Sequence, residues 1–135
     1  MKTLRHNERE RDIQNVIKTY LEVRGFLVVK YPSVGIWKQN TQSYIPLARR
    51  GVSDLLACSP VGEFVGIEVK AGYNKPTEEQ TDFIREVTKR KGIAFVAYSL
   101  EDVIDKLFYA DTTSYRNRVD TTGQQKRVPI TRSKK

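Results

Sequence analysis

Apolar residues at Ile13, Val16, Ile17, Tyr20 and Leu21 recur at intervals of three and four, which predicts a helix over about 8–24 with one buried face. Gly25 follows where a left-handed residue ends a helix. Residues 26–31 (Phe-Leu-Val-Val-Lys-Tyr) then predict a strand, stopped by Pro32. Ile36-Trp37-Lys38 suits either a short strand or a loop, and 39–51 reads as a long polar loop carrying Pro46, Arg49, Arg50 and Gly51. Residues 52–58 are mostly apolar and end at Ser59-Pro60. After a turn at 61–63, residues 64–70 form another strand. So short a connection favours an antiparallel hairpin. A second helix runs over about 77–91, opened by a capping box from Thr77 to Gln80, with Phe83, Ile84 and Val87 facing inward and Gly92 as its stop. Residues 93–98 predict a strand. Ser99 caps a last helix to about 108, with Val103, Ile104 and Leu107 facing inward. The order α-β-(β)-β-β-α-β-α implies an α/β fold with a mixed sheet flanked by helices. Beyond Asp111 the periodicity disappears, so the expected organisation is one domain over 1–110 and a basic polar tail over 111–135, mobile or ordered by a partner.

Composition narrows the class. The chain has 135 residues, 39% hydrophobic and 30% charged, which suits a single domain with a solvated surface. Cys58 is the single cysteine and His6 the single histidine, which excludes an internal disulfide and a Cys/His zinc site. No run approaches the ~20 apolar residues of a membrane span, and residues 1–7 lack the apolar core of a signal peptide. The expectation is a soluble, cytoplasmic protein with no membrane partner. The net charge is +8, and the tail alone holds seven basic and two acidic residues. Such a surplus serves solubility or marks a polyanion partner, nucleic acid above all.

The candidate chemistry lies in two strands. Along 64–70 side chains alternate, so Val65, Ile67 and Val69 face one way and Phe64, Gly66, Glu68 and Lys70 the other. Glu68 and Lys70 then project together, about 6–7 Å apart. Alone, Glu-x-Lys is a solvated strand edge as readily as a site. Asp54 changes this, because an aspartate entering an apolar strand is costly to bury unpaired. In a hairpin it meets Glu68 and Lys70. The structural alternative is an Asp54–Lys70 ion pair; the functional one is a divalent-metal site of hard oxygen ligands with a catalytic lysine. Mg²⁺ takes carboxylate oxygen and water, usually with substrate phosphate, and such an ion activates water and neutralises phosphate charge. A nearby lysine orients the water, stabilises charge or acts as a base.

Gly51-Val52-Ser53-Asp54 followed by Ile67-Glu68-Val69-Lys70 resembles the PD-(D/E)xK nuclease signature, and more narrowly the virus-type replication-repair nuclease family, VRR-NUC. Glu10-Arg11-Asp12-Ile13-Gln14 is similar to that family's early Glu-x-x-Ile-Gln. Gly72 follows the lysine, and Thr77-Glu78-Glu79-Gln80 resembles its Thr/Ser-x-x-Gln. The likeness spans roughly residues 8–104 in the right order. It implies a restriction-endonuclease-like core and a Mg²⁺- or Mn²⁺-dependent DNA endonuclease. The implied substrates are branched, flap or junction DNA of replication, repair or recombination. It implies Asp54 and Glu68 as metal ligands, with the Val69 carbonyl as a further one, Glu10 completing the site by binding metal directly or through water, and Lys70 as the catalytic lysine. Gln80 has a site role by the same likeness, although the capping box explains it without chemistry. Ser53 stands where the motif's name has proline, a position that shapes the turn. Small stand-alone members look like phage or mobile-element proteins. A homodimer suits branched DNA with two symmetric strands.

Arg49 and Arg50 precede the site and are candidates, with Ser53, for DNA contact. Trp37 and Tyr44 suit base stacking, core packing or loop anchoring equally. His6 is expected to be exposed, and Cys58 to be a small buried hydrophobe. The competing functions are a non-catalytic nucleic-acid-binding module on the same fold, which has no need of acids facing phosphate, and a hydrolase of small phosphoesters, which the basic surplus disfavours.

Overall fold

The computed structural model describes residues 2–32, 35–45 and 49–109, with side chains from Arg9 onward except those of Ile36 and Tyr109. The expectations for the His6 side chain and for the tail from 111 onward lie outside the described residues.

Helix α1 (Lys2–Val23) begins earlier than its apolar stripe. Its stop at Gly25 is as expected. With φ +89°, Gly25 donates to the Glu22 carbonyl, while Phe26 N–H reaches back to Leu21 at 2.9 Å, the two bonds of a Schellman motif. Ile17 and Leu21 are fully buried, and Ile13 and Tyr20 pack at the core margin. Val16, expected on the buried face, is 52% exposed at its edge.

Strands β1 (Leu27–Lys30), β4 (Leu55–Cys58), β5 (Phe64–Val69) and β6 (Ile93–Ala97) form one mixed sheet in the order β1-β4-β5-β6. The β4–β5 hairpin is antiparallel with Leu55 opposite Ile67, and β6 runs parallel to β5. A separate hairpin joins β2 (Ile36–Lys38) to β3 (Ser43–Ile45), which corrects the long loop expected over 39–51. Short polar strands such as Ser-Tyr-Ile carry too little alternation to announce themselves.

One sheet face, with Val28, Leu55, Ala57, Val65, Ile67, Val69, Phe95 and Ala97, packs on α1 and α3 (Leu100–Ile104). Each fully buried Ile, Leu or Val contributes roughly 1.5–3 kcal/mol of transfer free energy. The last helix does not run regularly to 108. After Ile104 it widens into a π-helical turn, Asp105–Tyr109, which buries Leu107 and Phe108 and sets Phe108 edge-on to Tyr20 and Phe26.

The other face carries α2 (Glu78–Lys89), whose Phe83 lies beside Gly66. The Thr77–Gln80 capping box is present. Phe83, Ile84 and Val87 are half-buried rather than buried, because α2 covers β5 and β6 and leaves β1 and β4 open. Leu27 is therefore 69% exposed, and Cys58, opposite Leu27 and Phe64, is exposed rather than buried. The left-handed residue after α2 is Lys91 (φ +69°), not Gly92. A Cβ at Gly92 would meet Val87 Cγ1 at 2.6 Å, so close approach requires that glycine.

Candidate active site

The β4–β5 register determines the site. Leu55 pairs with Ile67, so Asp54, one residue before β4, lies opposite Glu68. Its backbone carbonyl accepts from Tyr31 N–H at 2.8 Å, and its Oδ2 accepts from Val69 N–H at 2.8 Å. Lys70 directly follows β5, and its N–H continues the ladder to the Ala97 carbonyl at 3.0 Å. Its Nζ stands 3.4 Å from Glu68 Oε1, so the lysine pairs with Glu68 rather than Asp54.

Glu68 is 1% exposed and Asp54 is buried. Burial, then the neighbouring Asp54, pushes the Glu68 carboxyl up to about 8 against the pull of Lys70. Burial also raises Asp54, opposed by the Val69 N–H and Lys70. Asp54 and Glu68 oppose each other across the β4–β5 pair, and each perturbs the other's carboxyl. Two acids confined this way either share a proton or share a cation.

A hard divalent ion fits that donor set. Glu68 Oε2 is buried and has no hydrogen-bond partner, an oxygen in want of a positive ligand. No three Asp, Glu, His or Cys side chains among the described residues cluster closely enough to enclose an ion. One or two carboxylates, completed by water and substrate phosphate, is the usual Mg²⁺ arrangement.

Glu10 approaches from α1 but is engaged elsewhere. Its Oε1 accepts from Ala71 N–H at 3.3 Å and from Asn74 Nδ2 at 3.1 Å. It therefore ties α1 to the loop after Lys70. Asn74 and Tyr98, whose hydroxyl donates to the Asn74 carbonyl at 2.7 Å, complete that tie. Sequence reasoning missed both, because a contact 64 residues away leaves no local signal.

Gln80 Oε1 accepts from Thr77 N–H at 2.8 Å, so its oxygen is committed to the cap. Ser53 is 1% exposed with its Oγ against Gly66. The expectation that it contacts DNA does not suit that buried position. Arg49 and Arg50 are exposed, and Arg49 lies over the Phe83 ring at 5.7 Å. The following Gly51, at φ +79°, brings this loop against the first turn of α2.

The fold that carries these residues is shared with solved structures. A solved structure described as a VRR_NUC domain superposes with a TM-score of 0.55 at 30% sequence identity, covering 74% of this chain and 94% of that one. The chain belongs to the VRR-NUC family. A second solved structure, a VRR_NUC domain protein, matches at TM-score 0.51 and 18% identity over 87% of this chain and 97% of its own, which supports the fold alone. No family model matches the sequence, and no curated protein does. The mixed sheet flanked by helices is thus a VRR-NUC nuclease-type domain. Among the described residues, no helix is long and apolar enough to cross a membrane.

Proposed function

We propose that this VRR-NUC domain is a Mg²⁺- or Mn²⁺-dependent deoxyribonuclease that hydrolyses phosphodiester bonds endonucleolytically. The observation that carries the reading is the convergence of two buried acids, Asp54 and Glu68, with Lys70 at one end of the β4–β5 hairpin. A structural ion pair would need one acid; the second raises the cost of burial without a cation.

Asp54 and Glu68 would hold the ion, with the Val69 carbonyl as a further ligand. Bound there, it would supply charge stabilisation at the phosphate and a more acidic water. The Val69 N–H fixes Asp54 Oδ2, so that carboxylate turns its other oxygen to the site. Lys70, drawn to Glu68, is placed to orient the attacking water or to meet charge developing on phosphate. Glu10 positions the loop after Lys70 and would complete the metal site directly or through water. Gln80 acts by holding the start of α2 against the loop of Arg49 and Arg50, which contact phosphate.

The substrate class we propose is branched, flap or junction DNA, met in the cytoplasm of a bacterial or phage-infected cell. A homodimer would present two such sites to symmetric strands. A labelled panel of single strand, duplex, flap and four-way junction, each with Mg²⁺, Mn²⁺ or chelator, tests this. Faster cutting of flap or junction than of plain duplex is expected; equal rates on all four would remove structure selectivity. Sedimentation showing a monomer on and off DNA would remove the dimer.

A further inference from the structure

The β2–β3 hairpin lies outside the four-stranded sheet and packs mainly with itself. Trp37 and Tyr44 are directly opposed across it, so both side chains stand on one face. They are 57% and 55% exposed. Core packing therefore accounts for neither. Tyr44 has a local anchor: its hydroxyl accepts from Gly35 N–H at 2.7 Å, and a Cβ at Gly35 would lie 2.5 Å from the ring. Trp37 has no such anchor among the described residues, and the two rings make no stacking contact with each other. A held tyrosine thus stands beside an indole with a free face.

The charge of the sequence that carries this pair indicates what it meets. From Val23 to Ser53 the sequence holds five basic residues (Arg24, Lys30, Lys38, Arg49, Arg50) and no acidic one. Lys38 adjoins Trp37 in β2 and forms no ion pair among the described residues. Arg49 and Arg50, exposed, lie on the chain between this hairpin and Asp54. Two exposed rings on a stretch of chain with basic and no acidic residues match a nucleic-acid strand with exposed bases: positive charge draws the phosphates, and rings take the faces of unstacked bases. A duplex hides those faces.

We propose that the Trp37–Tyr44 face of the β2–β3 hairpin is a base-stacking platform for unpaired DNA. It rests on the nuclease reading, whose substrate it specifies as DNA with an unpaired segment next to the cut. Trp37 is the main stacking surface and Tyr44 its rigid neighbour.

Trp37 is the only tryptophan in the chain, so its emission reports on this site alone. The full-length protein is titrated in chelator, which removes cleavage, with a thymidine 20-mer and separately with a blunt duplex. Quenching by the single strand and little change with duplex is expected. Trp37→Ala should raise the Kd for a labelled single strand roughly 5- to 150-fold, by anisotropy, with Trp37→Phe restoring most of it. Saturation by single strand with Trp37 emission unchanged would overturn the proposal. So would an emission change that follows protein concentration without DNA, which would make this face a contact between copies. Cleavage assayed separately keeps the two readings apart. Metal-dependent cutting with no quenching sinks the platform alone, whereas quenching with no cutting under any metal supports the platform and sinks the nuclease.

Discussion

Glu68 places a carboxyl in the interior with a second acid against it, and only Lys70 and a strand-end N–H offset the pair. That arrangement fixes a sign for stability against pH. In the unfolded chain Glu68 ionises near 4.5; in the metal-free fold it keeps its proton to about 8. Between those values the folded state binds the extra proton, so the contribution is full below about pH 4.5 and is lost as pH rises to about 8. The urea midpoint in chelator should fall over that window. Glu68→Gln should flatten the fall and be the more stable protein at pH 8, and Mg²⁺ should stabilise the wild type there but not the variant. An equal slope in both would remove Glu68 as its source. Asp54, Glu68 and Lys70 were legible in the sequence because strand alternation and a short turn bring them together by geometry alone. The partners of Glu10 were not, because Ala71 and Asn74 reach it through tertiary packing.

At the scale of elements, the site depends on how the loop before Asp54 is seated. Gly51 takes a left-handed φ, and a Cβ there would meet the Glu79 carbonyl at 2.3 Å. Gly51→Ala should cost about 1–3 kcal/mol, read from the urea midpoint, because strain and backbone collision both oppose it. Thr77→Ala should cost about 0.5–2 kcal/mol through loss of the cap. Gln80→Ala should cost a similar amount, with cleavage no lower than in Thr77→Ala. A much larger loss of cleavage in Gln80→Ala would give its side chain a direct part in the site. The helices and the sheet strands were readable because their apolar periodicities are strong and their ends carry Gly25, Thr77 and Ser99. The β2–β3 hairpin was half-readable: Ile36–Lys38 had a strand's composition, but Ser43–Ile45 pairs through backbone bonds that side-chain pattern does not encode. The π-helical turn at Asp105–Tyr109 likewise reflects the seating of Leu107 and Phe108, a tertiary demand.

For the whole molecule, charge and coverage are uneven. Residues 111–135 hold seven of the 24 basic residues. Deleting 112–135 should flatten the dependence of DNA affinity on salt, since fewer phosphates are neutralised; an unchanged slope would take the tail off the contact surface. The two-faced α/β architecture was evident from element order. The open face over β1 and β4 was not, since a pattern of apolar residues does not say how far one helix reaches across a sheet. The proposed function requires that Asp54, Glu68 and Lys70 together support metal-dependent hydrolysis of DNA. The direct measurement is cleavage of an end-labelled DNA flap by the wild type and by Lys70→Ala, with Mg²⁺ or with chelator. Cutting by the wild type in Mg²⁺ alone, lowered by at least ~100-fold in a folded Lys70→Ala, is the result predicted. Equal cutting by the variant, or cutting that persists in chelator, would contradict it.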